Sequence, residues 1–280
     1  MVLTKYVNIL RQHHSPQRLV ISRLLWHSRL CRLIKIRRDY CAIRFHPSSL
    51  SADLWIRPGE RSDEERLIAR YLHPGDCMID VGANIGTLTL TAAARVGPTG
   101  AVYAFEPHPR TFGYLQENIA LNGCTNVRAL NFALGDRQGA VQFSDIRSDD
   151  QNSIITSGKG ITVPIHPLDD LEIAQPLIHL LKIDTEGYEK FVFQGARRLL
   201  TRTLTAYFES WDTSFAKYGY HSADLFDWLE STGFRIFRVC ENRLTPIPKD
   251  YSSDNVENLL ALRSPQQFTE RTGYCLASAC

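Results

Sequence analysis

The sequence predicts an α/β fold: an open, mostly parallel sheet with helices on both faces and an antiparallel hairpin at its C-terminal end. Three observations predict it. The apolar run Cys77, Met78, Ile79 leads through Asp80-Val81-Gly82-Ala83-Asn84-Ile85-Gly86 into a helical stretch over 87–96, so a buried strand, a glycine-bearing turn and a helix N-terminus follow directly on one another. Residues 101–105 and 127–134 repeat the strand pattern around a second helical segment, a β-α-β-α-β unit with right-handed crossovers. Strand patterns at 177–183, 204–208, 234–239 and 258–262 bring the count to roughly seven, the last two forming the hairpin.

At 280 residues and 44% apolar content the chain can bury a large core. Its formal charge of +2 hides an asymmetry, because residues 1–44 carry ten Lys or Arg and the single acid Asp39. That division predicts a helical basic extension over 1–44, a main domain over 45–265 and a tail over 266–280. No uncharged stretch of the extension approaches the roughly 20 residues of a membrane span, and it lacks the apolar centre of a secretory signal. A helical extension with solvated arginines, peripheral contact with an anionic membrane, and an organelle-type transit peptide all use such charge; nucleic acid contact is disfavoured. The seven cysteines, Cys31, Cys41, Cys77, Cys124, Cys240, Cys275 and Cys280, form no C-x-x-C pair or metal-ligand spacing, which predicts reduced thiols in a cytoplasmic protein, membrane-associated if the extension docks.

Residues 41–45 and 53–56 read as short strands, and Ser62 as the cap of a helix with acids in its first turn and Leu67, Ile68, Tyr71 and Leu72 on its apolar side. His73-Pro74-Gly75-Asp76 is a turn that hands the chain to the strand at 77. Pro109 suits the first turn of the next helix, Phe112, Leu115 and Ile119 recur at helical spacing, and Asn122-Gly123 stops it. Between 135 and 176 the alternation breaks: strands at 141–143 and 161–165 enclose a polar loop over 144–160, whose length marks it as functional or mobile. A helix carrying Phe191, Val192 and Leu199 follows, then one capped by Ser222, a turn-rich connection over 241–255, and the tail.

The chemistry concentrates at strand ends. Gly82 and Gly86 permit a tight turn, the helix start offers free N–H groups, and Glu106, 20 residues after Gly86, sits at the tip of the next strand where a carboxylate can accept both hydroxyls of a ribose. The G-x-G-x-x-G of dinucleotide folds is absent, and Asp80 at the front of the loop would repel a pyrophosphate. A ligand with positive charge and no phosphate satisfies that pattern, as S-adenosylmethionine does. Asp184 and Glu186 end the strand over 177–183, where open sheets bind ligands. Either could take a proton from an acceptor hydroxyl, or instead cap the next helix or bond Lys182. His108, His166 and His221 are weaker base candidates, and Glu209, Trp211 and Asp212 form a wall beside the site.

Together, Asp80 to Gly86, Phe105-Glu106-Pro107, Asn131 to Asp136, Leu168 to Leu171 and Lys182 to Glu189 resemble, in order and spacing, the FkbM family of S-adenosylmethionine-dependent methyltransferases over about residues 60–210. The resemblance implies a Rossmann-like class I methyltransferase with a seven-stranded sheet of order 3-2-1-4-5-7-6, acting on a hydroxyl oxygen of a sugar or secondary metabolite. It also implies that Asp80, Gly82, Asn84 and Gly86 line the methionine part of the cofactor, that Glu106 holds the ribose, and that Asp136 approaches the adenine. Asp136 reads equally as a turn residue. Two carboxylates do not establish a metal site, and none is indicated. Residues 136–175 are expected to supply a lid or acceptor loop. Two other classes compete: a non-catalytic cofactor-binding module docked by the basic arm, and an NAD-dependent oxidoreductase, which the glycine spacing disfavours.

Overall fold

The computed structural model describes residues 16–28, 30–146, 148 and 151–277; Lys5, Arg11, Arg29, Arg147, Asp149, Asp150 and Cys280 lie outside them. The elements run α1 (Pro16–Ser28), β1 (Lys35–Arg37), β2 (Ala42–Arg44), α2 (Ser49–Ile56), α3 (Ser62–Tyr71), β3 (Cys77–Val81), α4 (Thr87–Val96), β4 (Ala101–Phe105), α5 (Pro109–Leu121), β5 (Val127–Leu130) and β6 (Ala133–Leu134). They continue through β7 (Gly139–Phe143), β8 (Ile161–His166), β9 (Ile178–Ile183), α6 (Glu189–Gln194), α7 (Arg197–Leu200), β10 (Thr203–Ser210), α8 (Asp212–Ala216), α9 (Ser222–Ser231), β11 (Arg235–Cys240), β12 (Arg243–Pro246), β13 (Glu257–Leu262), α10 (Pro265–Thr272) and β14 (Cys275–Leu276).

The central sheet has nine strands in the order β14-β12-β11-β13-β10-β9-β3-β4-β5. Its seven principal strands, numbered by their own sequence, stand in the expected order 3-2-1-4-5-7-6, and β12 and β14 extend one edge. β3, β4, β5, β9 and β10 are parallel, while β13 and β11 return antiparallel. The central strands are covered on both sides: Ile79, Val81, Leu181 and Phe208 pack into one core cluster, Met78, Leu180, Tyr207 and Leu260 into another. Strand alternation therefore points Asp80 to the Met78 face, beneath α4, rather than out along the sheet edge.

Several local expectations change. Residues 53–56 belong to helix α2, not to a strand, because Leu50 and Leu54 recur at helical spacing and the Ser48 side chain caps the first turn by accepting from Ser51 N. Helix α3 starts from Arg61 in a left-handed conformation with no side-chain cap, so Ser62 is already inside the helix. At α9 it is His221 that holds the cap position, its N–H donating to Asp224 Oδ2 at 2.9 Å, while Ser222 turns to Asp212. The single strand expected over 127–134 is two: Asn131 breaks it by donating to the carbonyls of Glu106 and Pro107, and β6 leaves for a separate three-stranded sheet, β6-β8-β7. The connection over 241–255 contains β12, which pairs with β11.

The packing also cuts the chain differently at both ends. β1 and β2 pair with each other, and Asn118 of α5 and Asn122 just past its end bond the β2 backbone at 2.7–2.8 Å, so residues 30–44 belong to the folded body. Arg38, expected in solvent, is buried against Glu65 at 3.0 Å. At the other end α10 and β14 fold onto the domain: Phe268 is 1% exposed and stacks on Tyr71 with ring centroids 5.0 Å apart, and β14 pairs with β12. The Phe268→Ala variant should lose about 3–5 kcal/mol of stability in urea unfolding; a loss below about 1 kcal/mol would mark the segment as a peripheral tail.

Candidate active site

The parallel strands all end at one edge of the sheet, and chain order reverses between β3 and β9. A cleft opens at this switch point, where open sheets bind ligands. It is open to solvent on one side. Val81, Gly82 and Asn84 supply one wall, Phe105, Glu106 and Pro107 the next, and Phe132, Ala133 and Leu134 a third. Asp184, Thr185, Glu186 and Tyr188 face them, Phe143, Asn152 and Ile154 come from the smaller sheet and its loop, and Arg61 reaches in from the start of α3.

The glycines shape this edge through the backbone. Gly82 has φ of +75°, and a Cβ there would stand 1.9 Å from the Asp184 carbonyl oxygen, so only glycine lets the ends of β3 and β9 cross so closely. Gly86, with φ of +95°, begins α4 where a Cβ would meet Leu115 Cδ1 at 2.6 Å. Between them Asn84 takes φ of +50° and uses its own Oδ1 to accept from Ile85 N at 2.7 Å.

Beneath the loop lies a buried ion pair. Asp80 is fully buried; its Oδ1 is 3.1 Å from Lys182 Nζ and its Oδ2 accepts from Thr89 Oγ1 at 2.5 Å. Lys182 Nζ also donates to the Gly82 carbonyl at 2.9 Å and stands 3.7 Å from Asp184 Oδ2. Burial alone would lower the Lys182 pKa, but the charges of Asp80 and Asp184 outweigh it and raise it. Asp80 thus fixes the loop from below and is not among the cleft-lining residues.

Glu106 is held in the cleft by two backbone donors, Asn84 N to Oε2 and His108 N to Oε1, each at 2.9 Å. These bonds use one lone pair on each oxygen and aim the carboxylate across the loop it ties to β4. On the opposite wall stand Asp184 and Glu186, and their oxygens and those of Glu209 in the adjoining groove lie within 4.8 Å of one another. Among the described residues no histidine or cysteine joins them, and beyond this spacing nothing points to an ion. Arg61 Nη1 stands 3.7 Å from Asp184 Oδ2 and 3.3 Å from Glu64. Burial works against the Arg61 charge, but Glu64, Asp184 and Glu209 hold its pKa above the ordinary value. Glu209 experiences the converse: burial first, then the charges of Asp184, Glu186 and Glu189, push it up to about 10. Glu189, fully buried, is pushed up to about 7 by burial although Thr185 N and Oγ1 donate to it at 2.7 and 2.9 Å.

The loop expected to act as a lid is tied down beside the cleft. Asp145 lies 3.1 Å from His108 Nε2 and accepts from Arg110 at 2.9 Å, and Tyr218 Oη donates to the Ile154 carbonyl at 2.5 Å. Asn152 Oδ1 accepts from Ser144 Oγ and Ile146 N.

Of the residues singled out in the sequence, Gly82, Asn84, Glu106, Asp184 and Glu186 come together around the cleft, whereas Asp80 and Gly86 support it from outside. Asp136 stands 3.6 Å from Arg137 and does not line the cleft; the space near β5 and β6 is bounded by Phe132, Ala133 and Leu134 instead. His108, His166 and His221 are absent from the lining, and Asp212 is occupied in bonding Ser222, Ser252 and Ser253. Arg61, Asn152 and Tyr188 were not foreseen. The donor set fits S-adenosylmethionine: apolar side chains for a planar base, a fixed carboxylate for ribose hydroxyls, and an acidic wall for positive charge.

The methyltransferase FkbM domain family matches residues 80–236. The hexuronic acid methyltransferase AglP of Haloferax volcanii is 30% identical over 167 residues, which cover 57% of this chain and 66% of that protein. Methyltransferase 1 of Beauveria bassiana is 29% identical over 143 residues, covering 42% of this chain and 57% of that protein. The chain thus spans under two thirds of the length of both relatives. Among solved structures, methyltransferase FkbM from Methylobacillus flagellatus aligns over 87% of this chain and 59% of that one, at 15% identity and a TM-score of 0.43.

Lys182→Met should lower stability by about 3–5 kcal/mol in urea unfolding, because it leaves Asp80 charged and buried. Adding Asp80→Asn should recover part of that loss, and a double variant no more stable than the single would contradict the pairing.

Proposed function

The chain belongs to the FkbM methyltransferase family, and on that premise we propose that it transfers a methyl group from S-adenosylmethionine to a hydroxyl oxygen of a sugar-like acceptor. The observation that carries this reading is the pairing, across one cleft, of the backbone-held Glu106 carboxylate with the acidic edge of β9. S-adenosylmethionine, when bound, supplies a methyl group on a positively charged sulfur. Glu106 would hold the ribose hydroxyls, and Phe132, Leu134 and Ile154 would flank the base. Asp184 and Glu186 would face the positive end.

Transfer is an in-line displacement, so the protein's work is to align the acceptor and to take its proton as the new bond forms. Asp184 is the proposed base. It lines both the cofactor cleft and a second groove bounded by Arg57, Arg61, Glu64, Glu209 and Asn258, so an acceptor in that groove would meet it. The name of the Haloferax relative supports a sugar as acceptor. The extent 45–265 for the methyltransferase domain would be widened to about 30–277 by the packing of β1, β2, α10 and β14.

A second, compatible reading concerns the N-terminal stretch. No helix among the described residues is long and apolar enough to cross a membrane. Val20, Ile21, Leu24, Leu30 and Leu33 are nevertheless exposed in a segment rich in arginine, which supports peripheral contact with an anionic bilayer. The full chain should then sediment with vesicles containing anionic lipid and not with purely zwitterionic ones; equal partition would dismiss the contact.

For the main reading, calorimetry should record binding of S-adenosylmethionine, weakened about 10- to 100-fold by Glu106→Ala. Asp184→Asn should keep binding while methyl incorporation from labelled cofactor into a sugar-containing metabolite extract falls about 100-fold or more. A folded wild type giving no binding heat would refute it.

A further inference from the structure

The acidic wall crowds several carboxylates together at the ends of β9 and β10. β9 and β10 run parallel with Phe208 opposite Ile183, so the next residues, Glu209 and Asp184, emerge side by side at the sheet edge. Glu186, in a left-handed conformation at φ of +58°, returns its carboxylate to the same place. From α6, Glu189 faces the group from within the core, and from α3 Glu64 approaches through Asn258, which stands opposite Glu209 in β13 and donates to Glu64 Oε1 at 3.0 Å. Among the described residues, Lys182 and Arg61 stand nearest this set, and Arg57 lines the same groove but pairs with Asp53 and Glu60. Lys182 is committed at 3.1 Å to Asp80, and Arg61 is divided between Glu64 and Asp184. Oxygens within 4.8 Å of one another cannot all belong to ionised groups in such surroundings without a large repulsive cost.

We propose that Glu209 holds the proton of this carboxylate cluster at neutral pH and releases it in part when a cation enters the cleft, so that the wall matches its charge to that of the cofactor. The inference rests on the reading of the cleft as an S-adenosylmethionine site. The raised pKa of Glu209 agrees with the crowding seen in the geometry. Glu209 lies in the second groove, Asp184 in both and Glu186 in the cleft, so charge in the cleft reaches Glu209 through these two neighbouring carboxylates.

The cycle balances. In methyl transfer the C–S bond breaks with its electron pair left on sulfur, the acceptor oxygen forms the new O–C bond, and the hydroxyl proton passes to Asp184. The cofactor thereby changes from cationic sulfonium to neutral thioether; of the transferred proton the cluster keeps the fraction it had given up, and the rest leaves to solvent. Glu209 is a positioning residue in this scheme: it acts through Asp184 and Glu186.

The test needs no acceptor. Calorimetric titration of the full chain at about pH 9, just below where Glu209 titrates unliganded, is run in buffers of different ionisation enthalpy and gives the protons released on binding. S-adenosylmethionine and S-adenosylhomocysteine are compared in the wild type and in Glu209→Gln, which keeps the shape of the protonated acid. The ligand's own amino group contributes alike in both proteins, so the difference between them isolates Glu209. The wild type should release a larger fraction of a proton with the sulfonium than with the thioether, beyond any such difference in Glu209→Gln. The same sulfonium-to-thioether difference in wild type and variant would overturn the proposal with the cofactor site left standing. Absence of binding by either ligand to folded wild type would overturn both.

Discussion

The buried Asp80–Lys182 pair is the interaction on which the site depends. One ammonium, sealed under the glycine loop, holds the last polar side chain of β3, the carbonyl of Gly82 and the flank of Asp184. It joins two strands that are neighbours in the sheet and about a hundred residues apart in the chain, and it does so where Gly82 lets their ends cross at a distance no side chain would tolerate. A buried pair of this kind adds little net stability, but losing one partner leaves an unsolvated charge, so the loop and the end of β9 are locked into one arrangement. Lys182 lies closer to Asp80 than to Asp184, and Arg61 reaches Asp184 from the other side.

The local part of the site was legible because its determinants are local. Strand, glycine turn and helix lie in one short stretch, and Glu106 follows at the tip of the next strand, so spacing alone brings Asn84 N to its carboxylate. The order of the seven principal strands followed the family resemblance. The burial of Asp80 was not legible: its place at the front of the loop suggested a ligand contact, and alternation along β3 turns it to the face under α4, toward Thr89. Asp136 lies on the turn that follows β6 into the smaller sheet and is not among the residues lining the cleft. What remained hidden was long-range. Arg61 approaches Asp184 from more than a hundred residues away, and the crowding of Glu209 against Asp184 and Glu186 depends on the β9–β10 register, which no periodicity discloses.

The ends of the chain show the same limit. Charge alone separated residues 1–44 from the rest, but the asparagines at the C-terminal end of α5 that stitch β2 to the domain, and Glu65 that receives Arg38, become visible only once the helices are packed. Phe268 likewise reads as a stray aromatic in a polar tail until Tyr71 is beneath it. The loop over 144–160 is the reverse case: its polarity marked it as functional, and its contacts with His108, Arg110 and Tyr218 keep Asn152 and Ile154 against the cleft.

The most direct measurement is a crystal structure of the complex with S-adenosylhomocysteine. The account predicts ribose hydroxyls within hydrogen-bond distance of Glu106, the adenine against Phe132 and Leu134, and the sulfur facing Asp184 with no ligand atom touching Asp80. A ligand seated on Asp80, or bound away from Glu106 altogether, would contradict it.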